Sequence, residues 1–301
     1  MKQVFLIHAH KDLIQLNALL GRLRDPDFAL YVHLDRKRTV DPAQVDRNAH
    51  QVQPRLDVRW GSFSQVQATL ASVRQVLARE ADFDKLVFLS AQDYPVRSNV
   101  ALKAELAVHQ GSELIDSVPI GPDGWPANYR YEYFYSEGSR LPLRLVCALA
   151  NRALRLAGRT RRFPNGLQPW GGSAWWSLSR PCLAHLLARV EEQPDLARFF
   201  RTVLCPDELF FQTLVMASPY ARCALARNYR YVQWPAGLAR NPQVLVETDF
   251  ERILASGAHF CRKLESNRSA GLRARLDACA DAAAPGIGRP GQVPCALASR
   301  P

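Results

Sequence analysis

Gln3-Val4-Phe5-Leu6-Ile7-His8 opens the chain with a nearly unbroken apolar run, and a leucine-rich stretch over residues 10–23 follows it. A short run of this kind suits a strand buried on both faces. In residues 10–23, Leu13, Leu16, Leu19, Leu20 and Leu23 recur at helical spacing and share one face. The alternation then repeats. Residues 28–34 read as a second strand ending at Asp35, residues 56–60 as a third ending at Trp60, and residues 64–79 as a helix with Ser64 as its N-cap. Residues 85–90 read as a fourth strand running into Gln92-Asp93-Tyr94-Pro95, and a helix over 100–109 leads to a short strand at 113–116. Strands alternating with helices predict an α/β fold, a mainly parallel sheet flanked by helices. Ligands of such sheets sit beyond the carboxyl ends of the strands, where His8, Asp35, Trp60 and Asp93 fall.

Beyond residue 120 the pattern loosens. Residues 129–135 are aromatic and strand-like, 143–156 helical, and 173–178 a strand entering a helix at 181–191. Helices are expected at 208–216 and 249–255, and extended chain at 229–234 and 259–261. The predicted organisation is one domain over residues 1–266, in two halves (1–120 and 121–266), followed by a partly disordered tail over 267–301.

The formal net charge is +11, from 39 Lys and Arg against 28 Asp and Glu. Such an excess favours anionic partners. Its densest run holds Arg152, Arg155, Arg159, Arg161 and Arg162, readable as a solvated surface or as a contact for an anionic membrane or lipid diphosphate. No helix-turn-helix, zinc-finger or RNP signature is present, so nucleic acid is not an expected partner. Seven cysteines, odd in number and without a CxxC pair, predict thiols in a reducing compartment rather than a disulfide framework or zinc site. No apolar run has the length of a signal peptide's core or a membrane span, so a cytoplasmic location is expected.

Three clusters carry chemistry. Pro206-Asp207-Glu208-Leu209-Phe210-Phe211-Gln212 puts a carboxylate at the start of a predicted helix. Gly171-Gly172-Ser173-Ala174-Trp175-Trp176-Ser177-Leu178-Ser179-Arg180 lies upstream, and Phe260-Cys261-Arg262-Lys263 downstream. Together they suggest a base, a shaped acceptor wall and a cationic clamp for a leaving diphosphate, the parts a sugar transferase needs. A divalent metal held by Asp-x-Asp at a strand's carboxyl end is one way to neutralise a diphosphate. Asp25-Pro26-Asp27 and Asp82-Phe83-Asp84 both precede their strands, on the wrong edge for that task, so no metal site is expected. Arg and Lys side chains do the same work directly.

Seven segments in register make a resemblance specific. They are Ile7-His8-Ala9-His10-Lys11, Val32-His33-Leu34-Asp35, Trp60-Gly61-Ser62, Leu89-Ser90-Ala91-Gln92-Asp93-Tyr94-Pro95, Gly172-Ser173-Ala174-Trp175-Trp176, Pro206-Asp207-Glu208 and Phe260-Cys261-Arg262-Lys263. The chain resembles the core-2/I-branching β-1,6-N-acetylglucosaminyltransferase and peptide O-xylosyltransferase family, glycosyltransferase family 14. The resemblance implies a GT-A-type, Rossmann-like fold with a nucleotide-binding first half and a less regular acceptor-binding second half. It implies an inverting transferase that works without a metal or other cofactor, with a UDP-sugar (GlcNAc or xylose) as donor and a glycan or lipid-linked glycan as acceptor. It places the catalytic base at Glu208 and the diphosphate-binding cations at Arg240, Arg262 and Lys263. It places the nucleoside near His10, His33 and Asp35, with Asp35 accepting from uracil or ribose.

Several residues keep two readings. Glu208 is a general base with a pKa raised by partial burial, or a first-turn glutamate interacting with a helix N-terminus. Asp207 reads as the N-cap. Asp93 orients the donor sugar or caps a turn. Trp175 and Trp234 are candidates for stacking on sugar rings, with at least one of Trp175 and Trp176 expected in the core. Two positions depart from the family pattern: Asn241-Pro242 stands where His-Pro is usual, and Leu264 where Phe is usual. Eukaryotic relatives carry a membrane anchor and disulfides. Their expected absence here points to a bacterial-type enzyme of cell-envelope polysaccharide or lipopolysaccharide synthesis, with peripheral contact to an anionic inner membrane. The alternatives are a metal-dependent GT-A transferase and a catalytically silent basic protein that binds glycans or membranes.

Overall fold

The computed structural model describes residues 2–37, 40–136, 141–235, 237 and 241–282. In chain order these form β1 (Gln3–Ala9), α1 (Leu13–Arg22), β2 (Phe28–Leu34), β3 (Ala49–Gln51), α2 (Ser64–Arg79), β4 (Lys85–Ser90), β5 (Asp93–Pro95) and α3 (Asn99–Val108). Then come β6 (Glu113–Ile115), β7 (Val118–Pro119), α4 (Tyr129–Glu132), α5 (Leu141–Leu156), β8 (Trp170–Gly171), β9 (Trp176–Ser179), α6 (Arg180–Glu192) and α7 (Pro194–Phe200). The last are α8 (Phe210–Met216), β10 (Ala224–Leu225), β11 (Arg230–Val232), α9 (Phe250–Ala255), β12 (Phe260–Arg262) and α10 (Ala270–Ala282). The architecture is mixed α/β, with a mainly parallel sheet flanked by helices.

Two compact units interleave along the sequence instead of dividing at residue 120. The first takes the chain up to Gln53, Asp82–Gly111 and the chain from Tyr229 onward. Its strands run β4-β1-β2-β3, all parallel. Val4, Phe5, Leu6 and Ile7 are fully enclosed, as an unbroken apolar strand covered on both faces must be. Helix α1 buries Leu16, Leu19 and Leu20, and the Asp12 carboxylate accepts from the Gln15 backbone N–H at 3.1 Å to cap it. A smaller sheet pairs β11 with β12 in parallel and β12 with β5 antiparallel, bringing Arg262 opposite Asp93.

The second unit comprises Pro54–Ala81 and Ser112–Asn228. Its strands run β10-β6-β9, with β6 and β9 antiparallel. Glu113 is buried there and holds Ser179 twice, accepting from its N–H at 2.8 Å and its hydroxyl at 2.6 Å, where β9 turns into α6.

Several expectations change. Residues 56–60 form no strand; β3, at Ala49–Gln51, pairs with β2 instead. Residues 129–135 form no strand, and 129–132 are helical. Tyr131 is buried edge-on against Phe163 at 5.3 Å, and that packing holds the short helix α4 against aromatic strand propensity. Ser64 is not a cap; its hydroxyl accepts from the Arg59 N–H at 2.8 Å. The tail begins later than residue 267, because α10 buries Leu272, Leu276 and Ala280 and is tied down by Tyr94 to Asp277 at 2.9 Å and Arg273 to Gln15 at 2.9 Å. The rest of the predicted tail, 283–301, lies outside the described residues. Among the described residues Cys147, Cys182, Cys205, Cys261 and Cys279 are free. Among the described residues no helix is long and apolar enough to cross a membrane.

Candidate active site

In the second unit the site grows from two glycines. A side chain on Gly172 would place its Cβ 2.2 Å from the Asp116 carbonyl oxygen, and one on Gly171 would come within 2.5 Å of the Trp125 ring. Only bare backbone fits, and the close approach lets the Gly172 N–H donate to the Glu208 carbonyl at 2.9 Å. From the other side, Cys205 adopts a left-handed conformation (φ 48°) and donates its N–H to the Gly61 carbonyl at 3.0 Å. The chain then makes one 3-10 turn, Pro206–Glu208, before α8 starts at Phe210. Glu208 therefore lies ahead of the helix, not in its first turn.

The Glu208 side chain is 34% exposed. Its Oε2 accepts from Arg130 Nη1, and no hydrogen bond from the described residues reaches Oε1. Arg130 in turn lies over the Trp125 ring, 4.5 Å from its centroid. Burial alone would lower the Arg130 pKa, but the Glu208 charge and the hydrogen bonds to Tyr129 and Glu208 together outweigh it and the net shift is upward. Asp207 does not cap a helix. Its Oδ2 accepts from Gln65 Nε2 at 3.1 Å, and Gln65 Oε1 accepts from the Gly61 N–H at 2.8 Å. Its Oδ1 is buried with no hydrogen-bond partner. Burial, then the neighbouring Glu208 charge, pushes the Asp207 carboxyl up to about 7. Trp176 is buried against Phe211 at 5.1 Å and belongs to the core, while Trp175 is half-buried.

In the first unit Asp93 is enclosed. Arg230 Nε donates to its Oδ1 at 2.7 Å, the Ser90 N–H donates to Oδ2, and side-chain exposures are 0% for Asp93 and 2% for Arg230. Asp93 is thus the buried counter-ion of Arg230. Burial lowers the Arg262 pKa, with Asp93 opposing that shift. Lys263 is more open, at 16% side-chain exposure. It shares one carboxylate, Glu265, with Lys11: Lys11 Nζ lies 2.7 Å and Lys263 Nζ 3.8 Å from the same oxygen. Burial and then the Lys11 charge lower the Lys263 pKa. Two ammonium groups on one carboxylate leave a local positive excess, suited to an anionic ligand.

His10 is exposed, whereas His33 is buried with its ring 5.0 Å from that of His8. Asp35 is buried at the end of β2, accepting from the Lys37 N–H at 3.1 Å with Lys37 Nζ at 3.5 Å. Trp234 is exposed beyond β11, and Arg240 lies outside the described residues. In the two Asp-x-Asp strings, Lys103 Nζ binds Asp25 at 3.0 Å and Asp27 at 2.8 Å, and Asp84 accepts from Gln3 at 3.3 Å. Among the described residues no cluster of three or more His, Cys, Asp or Glu is placed to hold a metal. Sequence reasoning missed Arg130, Trp125, Gln65 and Lys11. The first three carry no motif of their own and join Glu208 and Asp207 only through tertiary contacts.

The chain is 27% identical over 286 residues to xylosyltransferase 1 of Canis lupus familiaris, covering 87% of this chain and 29% of that one. It is 25% identical over 229 residues to xylosyltransferase sqv-6 of Caenorhabditis elegans, covering 73% and 27%. The chain thus spans less than a third of the length of these two relatives. Among solved structures, mouse xyloside xylosyltransferase 1 in its apo form aligns with a TM-score of 0.40 and 12% identity, over 89% of this chain and 99% of that one. The model of the Core-2/I-Branching enzyme family matches residues 4–254, which include Glu208 and end before Arg262 and Lys263. With most of its length matched, the chain belongs to the Core-2/I-Branching enzyme family, a family of glycosyltransferases.

Proposed function

We propose that this chain is an inverting, metal-independent glycosyltransferase that moves a sugar from a UDP-sugar to a hydroxyl of a glycan acceptor. The names of the curated relatives make xylose the first donor to test, with GlcNAc second. In this reading the acceptor belongs to cell-envelope polysaccharide or lipopolysaccharide, and the reaction takes place on the cytoplasmic face of the inner membrane.

One observation carries the reading: Glu208 is anchored by its backbone to Gly172 and by Oε2 to Arg130, with Oε1 left open. Oε1 takes the proton of the acceptor hydroxyl as that oxygen attacks the donor's anomeric carbon. The bond from that carbon to the diphosphate breaks from the opposite face, and UDP leaves with the electron pair. One displacement inverts the centre. Lys263, with Lys11 and Arg262, balances the charge that develops on the leaving diphosphate, and Arg240 is assigned the same duty by its place in the family pattern.

The test is UDP release from a panel of UDP-sugars in EDTA, comparing wild type with Glu208→Gln. Turnover of one donor that the variant loses supports the reading. Activity abolished by EDTA and restored by manganese would overturn the metal-independent part, and turnover unchanged in the variant would overturn the base.

A further inference from the structure

Helix α5, Leu141–Leu156, is attached to its unit along one narrow edge. Cys147 is its only buried residue. Four residues on, the Asn151 side chain bonds both backbone groups of Phe134, accepting from its N–H at 2.8 Å and donating to its carbonyl at 2.9 Å. Four further, Arg155 lies over the Tyr133 ring at 5.0 Å. At 100° per residue these three mark one line down the helix. The opposite side carries Leu145, Val146, Leu149 and Leu156, all exposed, Leu149 to 67% and Leu156 to 81%. An apolar face of this size turned outward is the unusual feature of this surface.

Along the helix and the chain that follows it, the side-chain charges have one sign. No Asp or Glu occurs between Leu141 and Val190. Arg144, Arg152, Arg159 and Arg162 are exposed along the helix and just beyond it. Arg161 behaves differently: it is half-buried against Phe134 and Phe199 and donates to the carbonyls of Tyr133, Thr202 and Phe199, so it pins the chain that leaves the helix.

A second copy of this chain is a poor cover for such a face, because a two-fold pairing sets the same arginines against each other with no carboxylate between them. A sheet of anionic headgroups over hydrocarbon complements both parts at once. We propose that α5 is a membrane-contact helix that lies in the plane of an anionic bilayer. Leu145, Val146, Leu149 and Leu156 enter the acyl boundary, and Arg152 and Arg159 meet headgroup phosphates. The inference does not depend on the transferase reading, and its test reads no turnover.

The full chain is floated on a density gradient with vesicles of pure phosphatidylcholine, or of phosphatidylcholine and phosphatidylglycerol in equal parts. Expected is flotation with the anionic vesicles alone, weakened by salt. Leu145→Gln combined with Leu149→Gln lowers the bound fraction about tenfold, and Arg152→Gln combined with Arg159→Gln does so most strongly at low salt. Thermal unfolding of each variant checks that the fold is kept; if the double leucine variant unfolds, Leu149→Gln alone replaces it. Three results overturn the proposal: wild type that stays down with anionic vesicles, flotation indifferent to both variants, or a dimer in solution that the leucine variant splits while no vesicle is bound.

Discussion

The first unit closes its charges in, and the second leaves one open. Asp93 has both carboxylate oxygens occupied, by Arg230 and the Ser90 N–H, and is sealed from solvent. Glu208 is one-third exposed with a single oxygen engaged, beside Asp207, whose buried Oδ1 has no donor. A buried pair sealed from solvent holds strand ends together. A carboxylate fixed at one oxygen and open at the other exchanges a proton with whatever hydroxyl reaches it. In the proposed function that contrast separates a structural pair from the base, although both clusters are acids beside arginines.

Substitutions test that contrast. The largest effect is expected from Asp93→Ala, which leaves Arg230 buried without its counter-charge and costs roughly 3–5 kcal/mol in urea unfolding. A loss below about 1 kcal/mol would mean the pair is not the scaffold described here. Glu208→Gln should leave unfolding almost unchanged and slow transfer by about 100-fold or more, equivalent to about 2.7 kcal/mol. Gly172→Ala should lower stability by about 1–3 kcal/mol, since the new methyl meets the Asp116 backbone. It should also reduce turnover, because the Gly172 N–H holds Glu208 in place. Lys263→Ala should weaken UDP binding about tenfold by calorimetry. Unchanged affinity together with an unchanged rate would take Lys263 out of the site.

A separate effect is in pH. The Asp207 carboxyl is held near 7 when folded against an ordinary value of 3.8, so the folded state binds the extra proton between those limits. Its contribution to stability is therefore full below about pH 4 and is lost as pH rises through about 7. Asp207→Asn should flatten that part of a melting-temperature profile; a slope equal to that of wild type would show that Asp207 is not protonated in the fold.

How far the residues announced themselves depends on what holds them. Strands β2 and β4 and helix α2 match their predicted limits because continuous apolar runs and helical spacing are local facts. Residues 56–60 look like a strand but do not form one, and the aromatic stretch at 129–135 begins with a turn of helix, where Phe163 receives Tyr131. The Pro-Asp-Glu and Gly-Gly segments were legible as motifs. Their joint geometry was not, since the Gly172 to Glu208 bond spans 36 positions and the Arg130 to Glu208 pair 78.

By itself, then, the sequence determined the α/β character, the family, and the choice of Glu208 and Lys263 as residues to watch, because periodicity and ordered motifs are written along the chain. Only the tertiary structure decided that Arg130 on Trp125 would steady Glu208, that Asp207 would lose its cap role for a buried oxygen, that Asp93 would be sealed by Arg230, and that α5 would turn its leucines outward. Those outcomes depend on which surfaces exclude water and which distant side chains arrive beside them, and neither is a property of any local stretch.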